Sequence, residues 1–481
     1  MQIRKLKTID VFIFSVVCSL FAYVVSRAIL VDITHDEAYS FYNVKHFWYV
    51  EALCTGNTHW INSLAMKSAV MLGFETLGAI RWLSILSAFI FFSIVFIWVY
   101  LEKELYIKLF ILAIFLFNPY ILDYFSLARG YAPGLALQTV GLFLFFQSFY
   151  TTKNYFLFLS LFFSGLSALA NFSFIYFFMA FCIVYFYKRY FKLGFPFLKS
   201  KYFYRDFTYS IVIAVLVIRA FIFMTTCSND VVGAGTPFFS EYFHVFVDGL
   251  IYLKFDTTAN TLTLLSYVIF TITCMSSLYG IIWYKTHKNL MYFYTSIILA
   301  IILSVTLINC FCFNVVFPYY RSAIFLFPTT AICFVYFVSM GIRNEIIKKI
   351  GIYFISILLS LNFIFGINFK YGLDFHLNAN LKDSFDYVAT LHPKKVGISP
   401  ELYGGFRNYY QMKSKNRYSF IGESINTNLP KGICANKNKL KEFEYIILFP
   451  PYNLSYYINN SISFKVDKLF PETGTVVLRI L

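Results

Sequence analysis

Long apolar runs separated by short polar segments fill the first 370 residues of the chain. A helix that crosses the hydrocarbon core of a bilayer needs about 20 apolar residues. Eleven stretches read that way: 9–31, 80–101, 106–122, 131–150, 155–171, 172–187, 207–226, 262–284, 291–313, 322–342 and 350–368. The fifth and sixth form one run, which we divide at Asn171-Phe172-Ser173. The first follows Arg4, Lys5 and Lys7, but it is too long for a signal-peptide core and has no small-residue cleavage site, so it reads as a retained anchor. Beyond about residue 370 the pattern shortens. Leu381–Leu391 has the period of an amphipathic helix, Lys395–Ser399 and Tyr445–Phe449 read as strands, and Lys465–Leu469 with Thr475–Ile480 reads as a hairpin turning at Pro471-Glu472-Thr473-Gly474. The expected architecture is an α-helical polytopic membrane protein of about eleven spans (1–369) with a small C-terminal α/β domain (370–481).

Composition supports the membrane class. Hydrophobic residues make up 59% and charged ones only 13%, against about half and a quarter in soluble domains. Disordered, fibrous and disulfide-stapled chains are thereby excluded. Nine cysteines are present with no CxxC pair, so no zinc ribbon or thioredoxin-type site is signalled. The net charge of +16 would suit a nucleic-acid partner, but its placement is topological. With the N-terminus cytoplasmic, 17 of the 25 Lys and Arg before residue 370 fall on the inner side, and ten of the fifteen acids fall on the outer side. No nucleic acid is needed to explain the charge. Eleven spans place 370–481 on the external face.

The outer segments carry the chemistry. The first, 32–79, holds Asp32-Ile33-Thr34-His35-Asp36-Glu37-Ala38-Tyr39-Ser40 and then Gly56-Asn57-Thr58-His59-Trp60-Ile61-Asn62-Ser63-Leu64, with Arg81 following Gly78-Ala79-Ile80. Three carboxylates within six residues beside a span are costly unless solvated, paired or functional. The second outer segment, Asn118 to Tyr131, adds Asp123 and Arg129, which could equally pair with each other. Arg321 sits at the mouth of a later span, where snorkelling is the simpler account. Lys45 and Lys67 read first as solvated surface. Asp32, His35, Asp36 and His59 share one loop and leave room for a divalent metal ion, though the His spacing matches no motif of known geometry. Phe41, Tyr42, Trp48 and Tyr49 suit an interfacial aromatic belt first and sugar stacking second.

The ordered set His-Asp-Glu-Ala-Tyr-Ser, Asn-Thr-His-Trp-Ile-Asn-Ser-Leu, Arg81 and Asp-Tyr-Phe-Ser-Leu-Ala-Arg-Gly-Tyr resembles polytopic glycosyltransferases of the GT-C fold. It is most similar to the bacterial branch of the protein O-mannosyltransferase and lipid A aminoarabinose transferase group (glycosyltransferase family 39-like). The motifs lie within residues 30–135. The resemblance implies transfer of a sugar from a polyprenyl-phosphate donor to a glycolipid, polysaccharide or protein acceptor, on the outer face of a bacterial inner membrane. It also implies that Asp36 or Glu37 acts on the acceptor, that Asp123 is the acid of the second outer segment, and that Arg129 and Arg321 face the lipid phosphate. His59 and Tyr131 fall within the substrate-binding stretches. Where the family commonly has a His-Pro-Pro-like segment, this chain reads His59-Trp60-Ile61-Asn62.

The chemistry suits those residue types. A phosphate leaving group needs charge stabilisation more than protonation, and the planar fork of Arg supplies it. A hydroxyl or amine acceptor needs its proton taken, which a carboxylate in hydrogen-bond reach can do. One base facing a departing phosphate predicts inversion at the anomeric carbon. The competing class is a transporter or flippase of lipid-linked sugars, which would favour inverted repeats and broken helices at mid-membrane. A silent scaffold presenting the C-terminal domain is the third. The chain has no evident repeat.

Overall fold

The computed structural model describes residues 8–46, 59–151, 153–227, 235–236, 243–250, 259–313, 317–318, 320–414, 416–425, 440–449 and 463–481. All eleven expected spans are helical. Among the described residues, eight helices are long and apolar enough to cross a membrane, and a bent pair makes a ninth. The other two expected spans correspond to Asn154–Ala170, which at 17 residues is short for a span, and to the long helix Lys201–Cys227.

Two expected spans are not regular. The run 106–122 is Leu105–Leu116 followed, across a 55° bend, by Pro119–Phe125. The cause is local: Asn118 adopts extended backbone and its Oδ1 accepts from the Ile121 amide at 3.1 Å, while Pro119 takes the first helical position, where its missing N–H costs nothing. The run 322–342 opens as a tight turn, Tyr320–Leu326, and becomes α-helical only at Phe327–Gly341, with Pro328 in its first turn.

The chain divides into two compact units. The first comprises 1–26, 53–65 and 81–367; the second comprises 27–52, 66–80 and 368–481. Small residues let helices approach in the first unit. Tyr131–Tyr150 and Asn154–Ala170 form a helical hairpin in which Gly141 faces Ser160 and Ser164; a Cβ at Gly141 would lie 2.4 Å from the Ser164 hydroxyl. Gly280 stands in the same relation to Ser296 on Leu290–Phe313. Between membrane helices, where apolar surface gives no net drive, such close contact supplies the packing energy. Asp10 and Lys108, one on each of two apolar helices, form a buried ion pair. Lys108→Met should therefore lower thermal stability by about 3–5 kcal/mol, because it strands a buried carboxylate. The double variant with Asp10→Leu should recover most of the loss in the same melting experiment.

The second unit holds a five-stranded sheet in the order Ile421–Ser424, Lys395–Ile398, Tyr445–Leu448, Thr475–Ile480, Phe464–Phe470. The first three strands are parallel, and the last two add antiparallel. The helical segment 400–413 is the crossover that parallel pairing of the first two requires. Tyr445–Leu448 is buried along its whole length, as a central strand covered on both faces must be. The expected hairpin and the helix Leu381–Thr390 are present. Ile421–Ser424 was not legible in the sequence: as an edge strand reading Ile-Gly-Glu-Ser it has neither an apolar run nor alternation.

Candidate functional site

The segment 32–79, expected to be an outer loop, is not an open loop where it is described. Within it lie the helices His35–His46 and Trp60–Met71 and a single turn at Leu77–Ile80. His35–His46 begins with a reciprocal cap. The Thr34 amide donates to Glu37 Oε2 at 3.0 Å, and the Glu37 amide donates to Thr34 Oγ1 at 3.2 Å. Thr-His-Asp-Glu is thus a capping box, legible in the sequence as Thr-x-x-Glu. It leaves Glu37 fully buried, with its carboxylate engaged at the helix start, and holds the adjacent Asp36 in a buried position on the first turn. Glu37→Gln preserves the box and is expected to keep activity within a few-fold. Glu37→Ala should cost about 1–2 kcal/mol of stability, as read by thermal unfolding.

Asp32, just ahead of that helix, serves the second unit internally. It accepts from the Lys382 amide at 3.2 Å and from the Tyr410 hydroxyl at 3.0 Å. Burial pushes its pKa up to about 6; the two donors oppose the shift and the Asp383 carboxylate adds to it. The folded state therefore holds this proton more tightly than the unfolded chain, whose Asp titrates near 3.8. The contribution of Asp32 to stability falls as pH rises from about 4 to about 6 and is level above. The melting-temperature difference between wild type and Asp32→Asn should track that window. His35 packs its imidazole on Gly404, where a Cβ would lie 2.3 Å from the ring.

Phe41, expected in an aromatic belt, is instead buried in the second unit, its ring 5.2 Å from that of Tyr409 in an edge contact. Trp48 and Tyr49 lie outside the described residues. Lys45 and Lys67 are likewise not simple solvated surface: Lys45 pairs with Glu75, and Lys67 donates to the Val44 carbonyl.

In the first unit, the segment following Pro119–Phe125 is pinned by side chains from distant sequence. Asn62 Nδ2 donates to the Ala128 carbonyl at 2.8 Å, and the Ser84 hydroxyl donates to the Leu127 carbonyl at 2.6 Å. These bonds satisfy backbone groups that have no helical partner and fix the start of Tyr131–Tyr150. Rings line this turn: Tyr120 and Tyr124 join through their hydroxyls at 3.1 Å, Tyr124 lies 4.8 Å from Tyr131, and Tyr131 lies 5.3 Å from His59. The Arg129 guanidinium sits 6.0 Å from the Tyr131 ring. Asp123, Arg129, His59 and Arg81 are all buried, and Arg321 is half-buried at the start of its turn.

Two residues of this cluster were missed in the sequence. Gly130 is needed because a Cβ there would lie 2.1 Å from the Ala170 carbonyl oxygen and 2.6 Å from His59 Cγ. Asn171, which ends Asn154–Ala170, brings its Oδ1 to the Ser173 amide at 3.0 Å and so shapes the turn beside that carbonyl. Neither approach has a local sequence signature beyond the Arg-Gly pair and the break at 171–173.

The structure thus groups His59, Arg129 and Tyr131 in the first unit, which also holds Asp123 and Arg321, whereas Asp36 and Glu37 belong to the second. Among the described residues, no three His, Cys, Asp or Glu side chains are grouped to hold a metal ion.

No protein-family model matches the sequence, and no curated protein matches it. Solved structures do. ArnT from Cupriavidus metallidurans bound to undecaprenyl phosphate superposes with a TM-score of 0.56 over 97% of both chains at 9% identity. The apo state of the same ArnT gives 0.43 over the same coverage. At this identity the likeness is one of fold, and the first of the two carries it: the protein has the GT-C fold of a multi-pass membrane protein with a small C-terminal sheet.

Proposed function

We propose that the protein is an inverting glycosyltransferase that moves a sugar from a polyprenyl-phosphate donor to a glycan, glycolipid or protein acceptor at the outer membrane face. The observation that carries the reading is the fold shared, end to end, with an ArnT bound to undecaprenyl phosphate. The outer-segment residues supply the chemistry.

Asp36 takes the proton from the acceptor hydroxyl or amine as it attacks the anomeric carbon. Its buried position on a capped first turn limits solvent competition for that proton. Glu37 positions Asp36 through the capping box. Arg129 and Arg321 stabilise the phosphate as the carbon–oxygen bond breaks, through a planar fork that matches its oxygens. Asp123 contacts sugar or acceptor hydroxyls, and His59 and Tyr131 form the wall behind Arg129.

The test is release of free polyprenyl phosphate from a panel of polyprenyl-phosphate sugars by the reconstituted protein, beside Asp36→Asn, Glu37→Gln and Asp123→Asn. Release by the wild type that Asp36→Asn abolishes supports the mechanism. No donor consumption, or an unchanged rate in all three variants, overturns it in favour of transport or scaffolding. Arg129→Lys should raise the KM for donor at least 10-fold, because a point charge replaces a bidentate fork; steady-state kinetics on the donor reads this directly.

A further inference from the structure

A cleft lies wholly within the second unit, with a volume of about 410 Å³. That is within the range of about 300–1,000 Å³ typical of small-molecule sites. Tyr42, His46, Arg407, Gln411, Tyr418 and Ser419 line it. The first two come from the helix His35–His46, and their rings stack at 4.5 Å with planes 28° apart. The others come from the crossover between the first two parallel strands and from the turn that follows it.

Two features single out this cleft. Arg407 sits on a π-helical turn, Phe406–Tyr410, entered through Gly404 and Gly405. Single π turns of this kind are rare and concentrate at functional sites. The charges are also sorted. Asp386, the carboxylate that takes the Tyr418 hydroxyl, is already paired with Arg417 at 2.7 Å. Arg407 forms no ion pair among the described residues, and no Asp or Glu lines the cleft. The walls therefore offer aromatic faces, amide and hydroxyl groups, and an uncompensated guanidinium.

We propose that this cleft binds a sugar unit carrying a phosphate or carboxylate group. Aromatic faces suit the C–H face of a pyranose ring, Gln411 and Ser419 suit its hydroxyls, and Arg407 suits the anion through its planar fork. The inference does not depend on the transferase reading, because it concerns equilibrium binding and needs no donor.

The test uses the full-length protein in nanodiscs and saturation-transfer NMR with glucose 6-phosphate, glucuronic acid, glucose and inorganic phosphate as probes. Binding of the two anionic sugars is expected, with at least 5-fold weaker affinity for glucose and for phosphate alone. Arg407→Gln should weaken the anionic sugars at least 5-fold, and Ser419→Trp, which fills the cleft from an exposed position, should abolish their signal. The double variant Asp386→Asn with Arg417→Gln, which removes the neighbouring ion pair as a neutral unit, should leave binding unchanged. Nanodiscs containing a phosphorylated glycolipid separate the sources: displacement of glucose 6-phosphate identifies a membrane ligand, and its persistence identifies a soluble one. Absence of binding by both anionic sugars overturns the proposal. So does binding that survives both Arg407→Gln and Ser419→Trp, or phosphate binding as tightly as the sugar phosphate.

Discussion

Asp36→Asn is expected to reduce turnover by about 10²- to 10⁴-fold, the range over which a positioned general base contributes, while thermal unfolding stays within a few degrees of wild type. The side chain keeps its shape while losing its charge and its ability to take a proton. The capping bonds that hold the helix start run between Thr34 and Glu37 and do not use the Asp36 carboxylate. The KM for donor should change little, since the carboxylate acts on the acceptor. A variant that loses activity together with its melting transition would instead make Asp36 a folding residue. A stable variant with full turnover would remove it from the mechanism. Comparison with Glu37→Gln sharpens the result, because the two neighbours carry the same charge and only one of them is committed to the helix cap.

The second large effect is structural. Gly130→Ala is expected to collapse both stability and activity. The added methyl would meet the Ala170 carbonyl oxygen at 2.1 Å and His59 Cβ at 2.7 Å, and the first of these belongs to backbone that cannot rotate away. Overpacking of this kind typically costs about 1–3 kcal/mol and more where the neighbour is main chain. The displaced groups adjoin Arg129 and Tyr131, so residual folded protein should also bind donor poorly. Gly351→Ala is the matched control. It lies in the helix Glu345–Gly366 with nothing within 4 Å of an added Cβ, and it should leave the melting temperature unchanged or slightly raised. Fluorescence-detected size exclusion after a heat ramp reads both variants. Equal melting temperatures for Gly130→Ala and wild type would refute the close approach.

The sequence by itself determined much of this protein. Apolar runs of span length can form only helices in a bilayer, because each backbone group must be satisfied within its own segment, and all eleven runs are helical. Short apolar and β-branched runs in the C-terminal segment determined the hairpin 464–480 and the strands 395–398 and 445–448, since runs of this length bounded by turn residues suit a strand better than a helix. Thr34-x-x-Glu37 carried the cap of the helix His35–His46. What only the tertiary structure decided is long-range. Asn62 and Ser84 hold carbonyls at 128 and 127, Arg27 spends two donors on the carbonyls of Asn368 and Tyr371, and Asp32 serves Lys382 and Tyr410. None of these partners lies within a helical turn or a hairpin of the other, so no local period records them. The need for glycine at 130 is of the same kind. It follows from where the Ala170 carbonyl comes to rest, and that position is set by helix packing, which short-range pattern does not encode.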